Sequence, residues 1–511
     1  MSDAKNLIRS SAMRMVHWAL AAAIAFFMMP FMVGHLGTRW YGIWVLIAGL
    51  FSSYYLLDFG LAAAVTRFFS THLATGDDEA ANRVVNSSLA IYTVLAGVIV
   101  LLTVLTAVFI ERIPALKNDL GVVRWVVILV GLQFAAEFPV KAFAGIPPSF
   151  VRYDILTYPR LFNLVLSTVL TVYVLERGLG IAALALVGFL CAQLGNVSYV
   201  FVARHLFPNL RLSRQLVSRA MVARLFTFGG WAFVVQVANQ LRFKVDSLVI
   251  ASMLSASAVT YYAVGLGLVE YFVDLVMRAT NLMLPVFTRY WVQDMRQELR
   301  TKFLLLSRIN AILGVFGGGL IVIVGRPFIL RWMGSDFEAS YPVLVVLMAG
   351  MATEIVGCYA DNVFYAMSKH KYLAIANILE GLVNLGLSIA LARPLGLVGV
   401  ALGTTVPLIF FRLVVIPRWV AKSLAFPVAR YYANLAPTVA FTLGYLFCCH
   451  WLAGGFLSMP SYGVVVAVGA ACTPVYALTI PFVAFTKKER RDLLNTVRGR
   501  RSADVSRTRP D

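Results

Sequence analysis

Long apolar runs recur along the chain, separated by short polar breaks, and each is long enough to cross a bilayer as an α-helix. The pattern predicts fourteen spans near residues 13–34, 41–66, 84–109, 121–143, 155–175, 180–203, 225–253, 257–287, 303–325, 340–366, 371–392, 395–416, 431–453 and 462–486. An even number returns both termini to one side. The N-terminal stretch MSDAKNLIRSSAMRMVHWALAAAIAFF has the basic-then-apolar shape of a signal peptide. With thirteen further spans behind it, it reads as an uncleaved first helix.

The two halves of the pattern resemble each other. Asn163-Leu164-Val165-Leu166-Ser167 in span five is echoed by Asn384-Leu385-Gly386-Leu387-Ser388 in span eleven, and GIAALALV from Gly180 by GLVGVALG from Gly396. Glu137 and Glu354 lie 217 residues apart in spans four and ten, and the three matches keep one order at offsets of 216 to 221. The expected fold is therefore an all-α polytopic membrane protein with two pseudo-symmetric six-helix bundles. Residues 1–203 form the first bundle, a basic linker spans 204–224, residues 225–420 form the second bundle, and helices 13 and 14 occupy 421–486. A basic tail follows at 487–511. A parallel repeat of this kind suits alternating access, with substrate held between the halves.

Composition agrees: 60% of the 511 residues are hydrophobic and 13% charged, too apolar for a soluble chain of this length. The net charge of +20 would suit nucleic acid, but the basic residues collect in alternate loops and both tails. The opposite loops carry Arg39, Arg112, Lys117, Arg124, Arg177, Arg326, Arg331 and Arg393, a minority of the 44 Lys and Arg. That bias places both termini in the cytoplasm and brings the tail to anionic lipids rather than to nucleic acid. Five cysteines lack paired spacing and six histidines lack metal spacing, so no metal site is expected. FGGG at Phe316–Gly319 is not followed by GK[ST] and reads as close helix packing. Asn86-Ser87-Ser88 and Asn196-Val197-Ser198 match the glycosylation pattern but lie within spans. No catalytic constellation stands out, and an enzyme is not expected.

Charge inside the spans carries more information, because it is costly there. In span eight Glu270, Asp274 and Arg278 are four apart, with Asn281 three further on, so all share one helix face. Span seven supplies Gln236, Asn239, Gln240, Arg242, Lys244 and Asp246. Glu137, Glu354 and Glu380 fall near mid-membrane and Asp361 closer to the cytoplasm. Mutual neutralisation, as of Asp274 with Arg278 or Arg242 with Asp246, explains single residues. A polar cavity explains the set. Arg and Lys there suit an anionic substrate, and carboxylates in low dielectric suit proton carriage.

The segment Leu36–Val85, with its core WYGIWVLIAGLFSSYYLLDFGLAAAVTRFF, resembles the polysaccharide-transporter branch of the multidrug/oligosaccharidyl-lipid/polysaccharide flippase superfamily. PLGLVGVALGTTVPLIFFRLVVIP at Pro394–Pro417 is similar to the twelfth span of that branch. The resemblance implies a multi-pass protein of the bacterial inner membrane that flips a polyprenyl-diphosphate-linked oligosaccharide to the outer leaflet, for O-antigen or exopolysaccharide synthesis. It also implies a cavity lined mainly by spans 1, 2, 7 and 8. Its partners would be membrane lipids and the polymerase and export machinery. No cofactor is expected beyond a coupling proton or sodium ion. A small-molecule or multidrug antiporter of the same superfamily is the alternative, against which Arg242, Lys244 and Arg278 weigh. A membrane glycosyltransferase is a third, for which the outer loops are short.

Asp58 is the single charge in Trp40–Thr66. About twenty residues from the outer turn near Gly37, it lies on the order of 30 Å in, close to the cytoplasmic edge. Aligning Tyr41 with Tyr261 sets Asp58 opposite Arg278, which suggests an inner gate. The competing expectation is that Asp58 caps or braces span two beside Gly60.

Overall fold

A computed structural model describes residues 2–150, 152–227, 240, 245–280, 283–459 and 461–491, and every regular element among them is helical. In chain order these are α1 (Ser2–Ser52), α2 (Leu61–Ala74), α3 (Asp78–Phe109), α4 (Leu120–Val140), α5 (Tyr153–Glu176), α6 (Gly180–Leu206), α7 (Asp246–Met253) and α8 (Ala256–Thr280). There follow α9 (Leu284–Val292), α10 (Arg296–Ala311), α11 (Gly318–Met333), α12 (Ser340–Ala366), α13 (His370–Phe410), α14 (Ile416–Ser423), α15 (Val428–Ala453) and α16 (Tyr462–Ala484).

Among the described residues eleven helical stretches are long and apolar enough to cross a membrane. Two of them are pairs: α1 turns at Gly37 (φ 76°) and α13 at Gly396 (φ 60°). Both lie in the left-handed region, which glycine reaches without a Cβ clash. The expected seventh span falls largely on residues 228–239 and 241–244, outside the described ones. Gly180, the repeat partner of Gly396, also turns with positive φ, at 72°. The echoed GIAALALV and GLVGVALG segments thus begin on the same kind of backbone turn.

Two spans differ from expectation. The second, read as continuous over 41–66, breaks after Ser52 into a tight turn, Ser53–Asp58, before α2. Phe59 (φ 49°) and Gly60 (φ 72°) are both left-handed, and this local geometry ends one helix and starts another. The eighth, read as 257–287, is described as α8 up to Thr280, and a separate helix α9 begins at Leu284 with Pro285 in its first turn, where the missing N–H costs nothing.

The chain forms two compact units, residues 1–263 with 377–400 and residues 264–376 with 401–511. The first therefore runs beyond the linker at 204–224. Within it α3 packs on α4, α4 on α6, and α5 on both α6 and α1. Its core gathers Phe69, Tyr92, Phe138 and Phe143 with small and branched aliphatics. Gly131 lets α4 approach α3 so closely that a Cβ would lie 2.2 Å from Thr103. In the second unit α12 is the central helix, touching α9, α10 and α11 and buried along most of its length. The FGGG stretch does pack closely: a Cβ on Gly317 would meet Phe272 at 2.7 Å, and one on Gly319 would meet Leu446 at 2.3 Å.

The polar start of α3 has a structural task. Asn82, Asn86 and Ser87 are buried, and they grip the backbone of the basic linker. Asn82 donates to the Asn209 carbonyl (2.9 Å) and accepts from the Arg211 N–H (2.7 Å). One turn on, Asn86 donates to the Arg211 carbonyl (2.7 Å) and accepts from the Ser213 N–H (2.9 Å). The Ser218 N–H then donates to Ser87 Oγ at 3.0 Å. Spacing of four puts the two amides on one helix face, where they act like the edge of a strand. The Asn-Ser-Ser sequence is thus a linker clamp.

The chain leaves α16 through a second polar fixture. Thr486 N–H and Oγ1 donate to Glu489 (2.8 and 2.9 Å), and the Glu489 N–H donates back to Thr486 Oγ1 (3.3 Å). This reciprocal capping box starts the helical turn of the basic tail. Arg308 binds it to the bundle, donating to Glu489, to the Ala484 carbonyl and to Asn434. Burial pushes the Glu489 carboxyl up, but the Thr486 hydrogen bonds and the Arg308 guanidinium outweigh it and hold the carboxyl below its ordinary value.

Candidate functional site

Each unit encloses a cluster of two carboxylates around one cation. In the first unit the break before α2 delivers Asp58 to Tyr92 of α3, whose hydroxyl donates to it at 2.7 Å. Lys141, just past α4, lies 3.7 Å from the same carboxylate, and both side chains are largely buried. The Ala62 N–H donates to Asp58 at 3.4 Å, so Asp58 also caps α2. Glu137 sits one turn before Lys141 and accepts from the Tyr55 hydroxyl at 3.3 Å. The ammonium of Lys141 rests over the rings of Tyr55 and Phe138, at 4.5 and 4.3 Å. Aromatic faces of this kind shelter a cation from lipid.

In the second unit Arg412 is 1% exposed, the largest fully buried side chain among the described residues. It donates Nη2 to Glu354 at 2.9 Å, with Nε in ion-pair contact at 2.6 Å, and donates Nη1 to Asp361 at 2.7 Å. The acids stand seven apart on α12 and hence on one face, with Gly357 between them under the Arg412 stem. The fork geometry of guanidinium matches this arrangement; an ammonium would not reach both acids equally. Around it Asn310 donates to the Ile355 carbonyl (2.8 Å), and Asn362 to that of Thr280 (3.5 Å).

In the first cluster the formal charges of Asp58, Glu137 and Lys141 sum to minus one. Such a set can hold a proton on one carboxyl or accept a monovalent cation without leaving a net charge at membrane depth.

The remaining expected site residues distribute as follows. Asp246 is buried at the start of α7 and accepts from Tyr262 at 2.6 Å. Gln240 donates to Ser53 (2.8 Å) and Ser52 (3.5 Å), beside the α1 break. Glu380 is buried within α13 at 3% exposure. Glu270, Asp274 and Arg278 are exposed along α8, in the second unit. Gln236, Asn239, Arg242 and Lys244 lie outside the described residues. Sequence reasoning passed over Lys141, Tyr92 and Arg412. The first and last had a signal: Lys141 is four residues after Glu137, and Arg412 is a lone charge in FFRLVV.

The first unit also holds a cavity of about 360 Å³ between α4 with its following turn, α5 and α6, lined half by polar and half by apolar or small residues. Glu137, Lys141, Arg160, Asn163, Asn196 and Tyr199 line it.

Comparison with known proteins decides the family. Residues 40–342, more than half the chain, match the family described as "Polysaccharide biosynthesis protein". The chain belongs to that family. Membrane protein EpsK of Bacillus subtilis (strain 168) is 24% identical over 491 residues, covering 95% of this chain and 96% of EpsK. Among solved structures, the lipid II flippase MurJ in an inward closed conformation superposes with a TM-score of 0.66 at 14% identity, covering 93% of this chain and 98% of MurJ. An inward-facing multidrug MATE transporter of the MOP superfamily gives 0.65 at 14%, covering 79% and 94%. This polysaccharide biosynthesis protein therefore shares the MATE/MurJ fold. The family match includes most of Leu36–Val85, so the resemblance carried by that segment holds at the family level; Pro394–Pro417 lies beyond the matched residues.

Proposed function

We propose that this polysaccharide biosynthesis protein is an alternating-access flippase. It moves a polyprenyl-diphosphate-linked oligosaccharide from the cytoplasmic to the outer leaflet of a bacterial inner membrane, with both termini in the cytoplasm. The family match over residues 40–342 carries the reading; the fold shared with a lipid II flippase supports it. The two clusters add a means of energy coupling, since either can exchange a proton or sodium ion as its unit changes conformation. Arg242, Lys244 and Arg278 would attract the diphosphate, and the gate would pair Asp58 with Arg278. Polymerase and export proteins would receive the product.

Reconstitution tests this directly. Liposomes containing the purified protein should expose a fluorescent lipid-linked oligosaccharide to an impermeant quencher faster than empty liposomes, and cells lacking the gene should lose surface glycan. Equal rates together with intact surface glycan would refute the proposal. A multidrug antiporter shares the fold, but the family match favours a glycan substrate.

A further inference from the structure

We infer that the cavity between α4, α5 and α6 is a sugar subsite, which takes hydroxyl groups of the glycan carried by the lipid. This deepens the flippase reading and rests on it. The starting observation is polar chemistry left open. Asn163 lines the cavity from α5, and its Oδ1 is buried and accepts no hydrogen bond from the described residues. On α6, Gln193 Nε2 is a buried donor with no acceptor among them, while its Oε1 accepts from Asn196 at 3.2 Å. A buried amide atom is ordinarily hydrogen-bonded, so a polar ligand that enters beside Asn163 gains a partner there.

The lining says which partner. Asn163 Oδ1 and Glu137 accept hydrogen bonds, while Arg160 and Asn196 donate them. A bare phosphate brings acceptors only and would face Glu137. A bare cation would meet Lys141 and Arg160. Hydroxyls donate and accept from the same atom, and a sugar ring offers several on a rigid frame whose C–H faces suit Tyr199 and Pro159. Small residues leave the space: Ala144, Ala192 and Gly195 line it, and a Cβ at Gly195 would lie 3.2 Å from Asn163 Nδ2.

The test uses the full chain in lipid nanodiscs and two probes. One is lipid-linked oligosaccharide extracted from the cells that make this protein; the other is the bare polyprenyl diphosphate. Native mass spectrometry reads both affinities, and thermal melting checks folding. The wild type should prefer the glycosylated carrier. Asn163→Leu, which removes the open acceptor, should cut that preference about fivefold, the worth of one hydrogen bond. Gly195→Val, which fills the cavity beside the Asn163 amide while leaving its Oδ1 in place, should do the same. Both should bind the bare carrier as the wild type does. Retained preference in both variants overturns the subsite, as does an equal loss for both carriers or a changed sodium dependence with preference intact. Failure of the wild type to bind either carrier would refute the flippase reading itself, and the subsite with it.

Discussion

At the residue scale, the behaviour of intramembrane charge depends on who stands beside it. Arg412 contacts two acids, and removing it would take its guanidinium from buried Glu354 and half-buried Asp361. Arg412→Ala should cost about 3–5 kcal/mol and lower the melting temperature in detergent, while adding Glu354→Gln and Asp361→Asn should restore part of the loss. Arg412→Lys should rescue less, because one ammonium replaces a fork that holds both carboxylates. For Asp58 two swaps separate two roles. Exchanging Asp58 with Lys141 restores stability if the residue is chiefly a brace within its unit. Exchanging it with Arg278 restores transport lost in the single reversals if the gate operates, although Asp58→Arg also removes the Tyr92 and Lys141 contacts and lowers stability. The neighbours of Asp58 were invisible in LLDFGL, because Tyr92 and Lys141 lie 34 and 83 residues further along. Its closeness to a glycine was legible, and the cap on α2 follows from that local sequence.

At the scale of elements, small local fixtures hold the ends of long helices. The linker clamp makes each of Asn82 and Asn86 both donor and acceptor. Asn86→Ala should therefore leave linker N–H and C=O groups unpaired, cost about 1–3 kcal/mol and speed proteolysis between residues 207 and 218. Asn86→Asp, which keeps only acceptors, should rescue it in part. The tail turn supplies a pH prediction. Glu489 has a folded pKa held below its ordinary value, so its contribution is present above the unfolded carboxylate pKa and is lost as pH falls through the folded one. Amide protection factors in residues 485–491, which correct for the intrinsic exchange rate, should fall as the solution is acidified from neutral through that range. Glu489→Gln should flatten the dependence. The T-x-x-E pattern was readable as a capping box; its tie to Arg308 was not, since that partner is 181 residues away.

At the scale of the whole molecule, the basic loops predict a topology with both termini in the cytoplasm. Reporter fusions give the check: a fluorescent protein fused at the C-terminus should fold and shine, and a periplasm-dependent phosphatase fused there should stay inactive. The reverse would invert the membrane orientation and the direction of the proposed transport. The repeat also acquires meaning at this scale. Glu137 and Glu354 occupy matching places in the sequence, and each belongs to a cluster of two acids and one base, yet the bases differ in type and position. Similar hydropathy allowed the halves to keep a common pattern while their local chemistry diverged.

The number and order of apolar helices, the turns at Gly37, Gly180 and Gly396, and the polysaccharide-family signature were all determined by the sequence itself. Each depends on residues close together in the chain: about twenty apolar side chains to span lipid, one glycine to take a positive φ. Which charges meet was decided only by tertiary structure. Lys141 finds Asp58, Arg412 finds Glu354 and Asp361, and Asn82 and Asn86 find the linker because packed helices bring distant segments within hydrogen-bond reach. In a bilayer, where water offers no alternative partner, those meetings determine which polar groups the fold can bury.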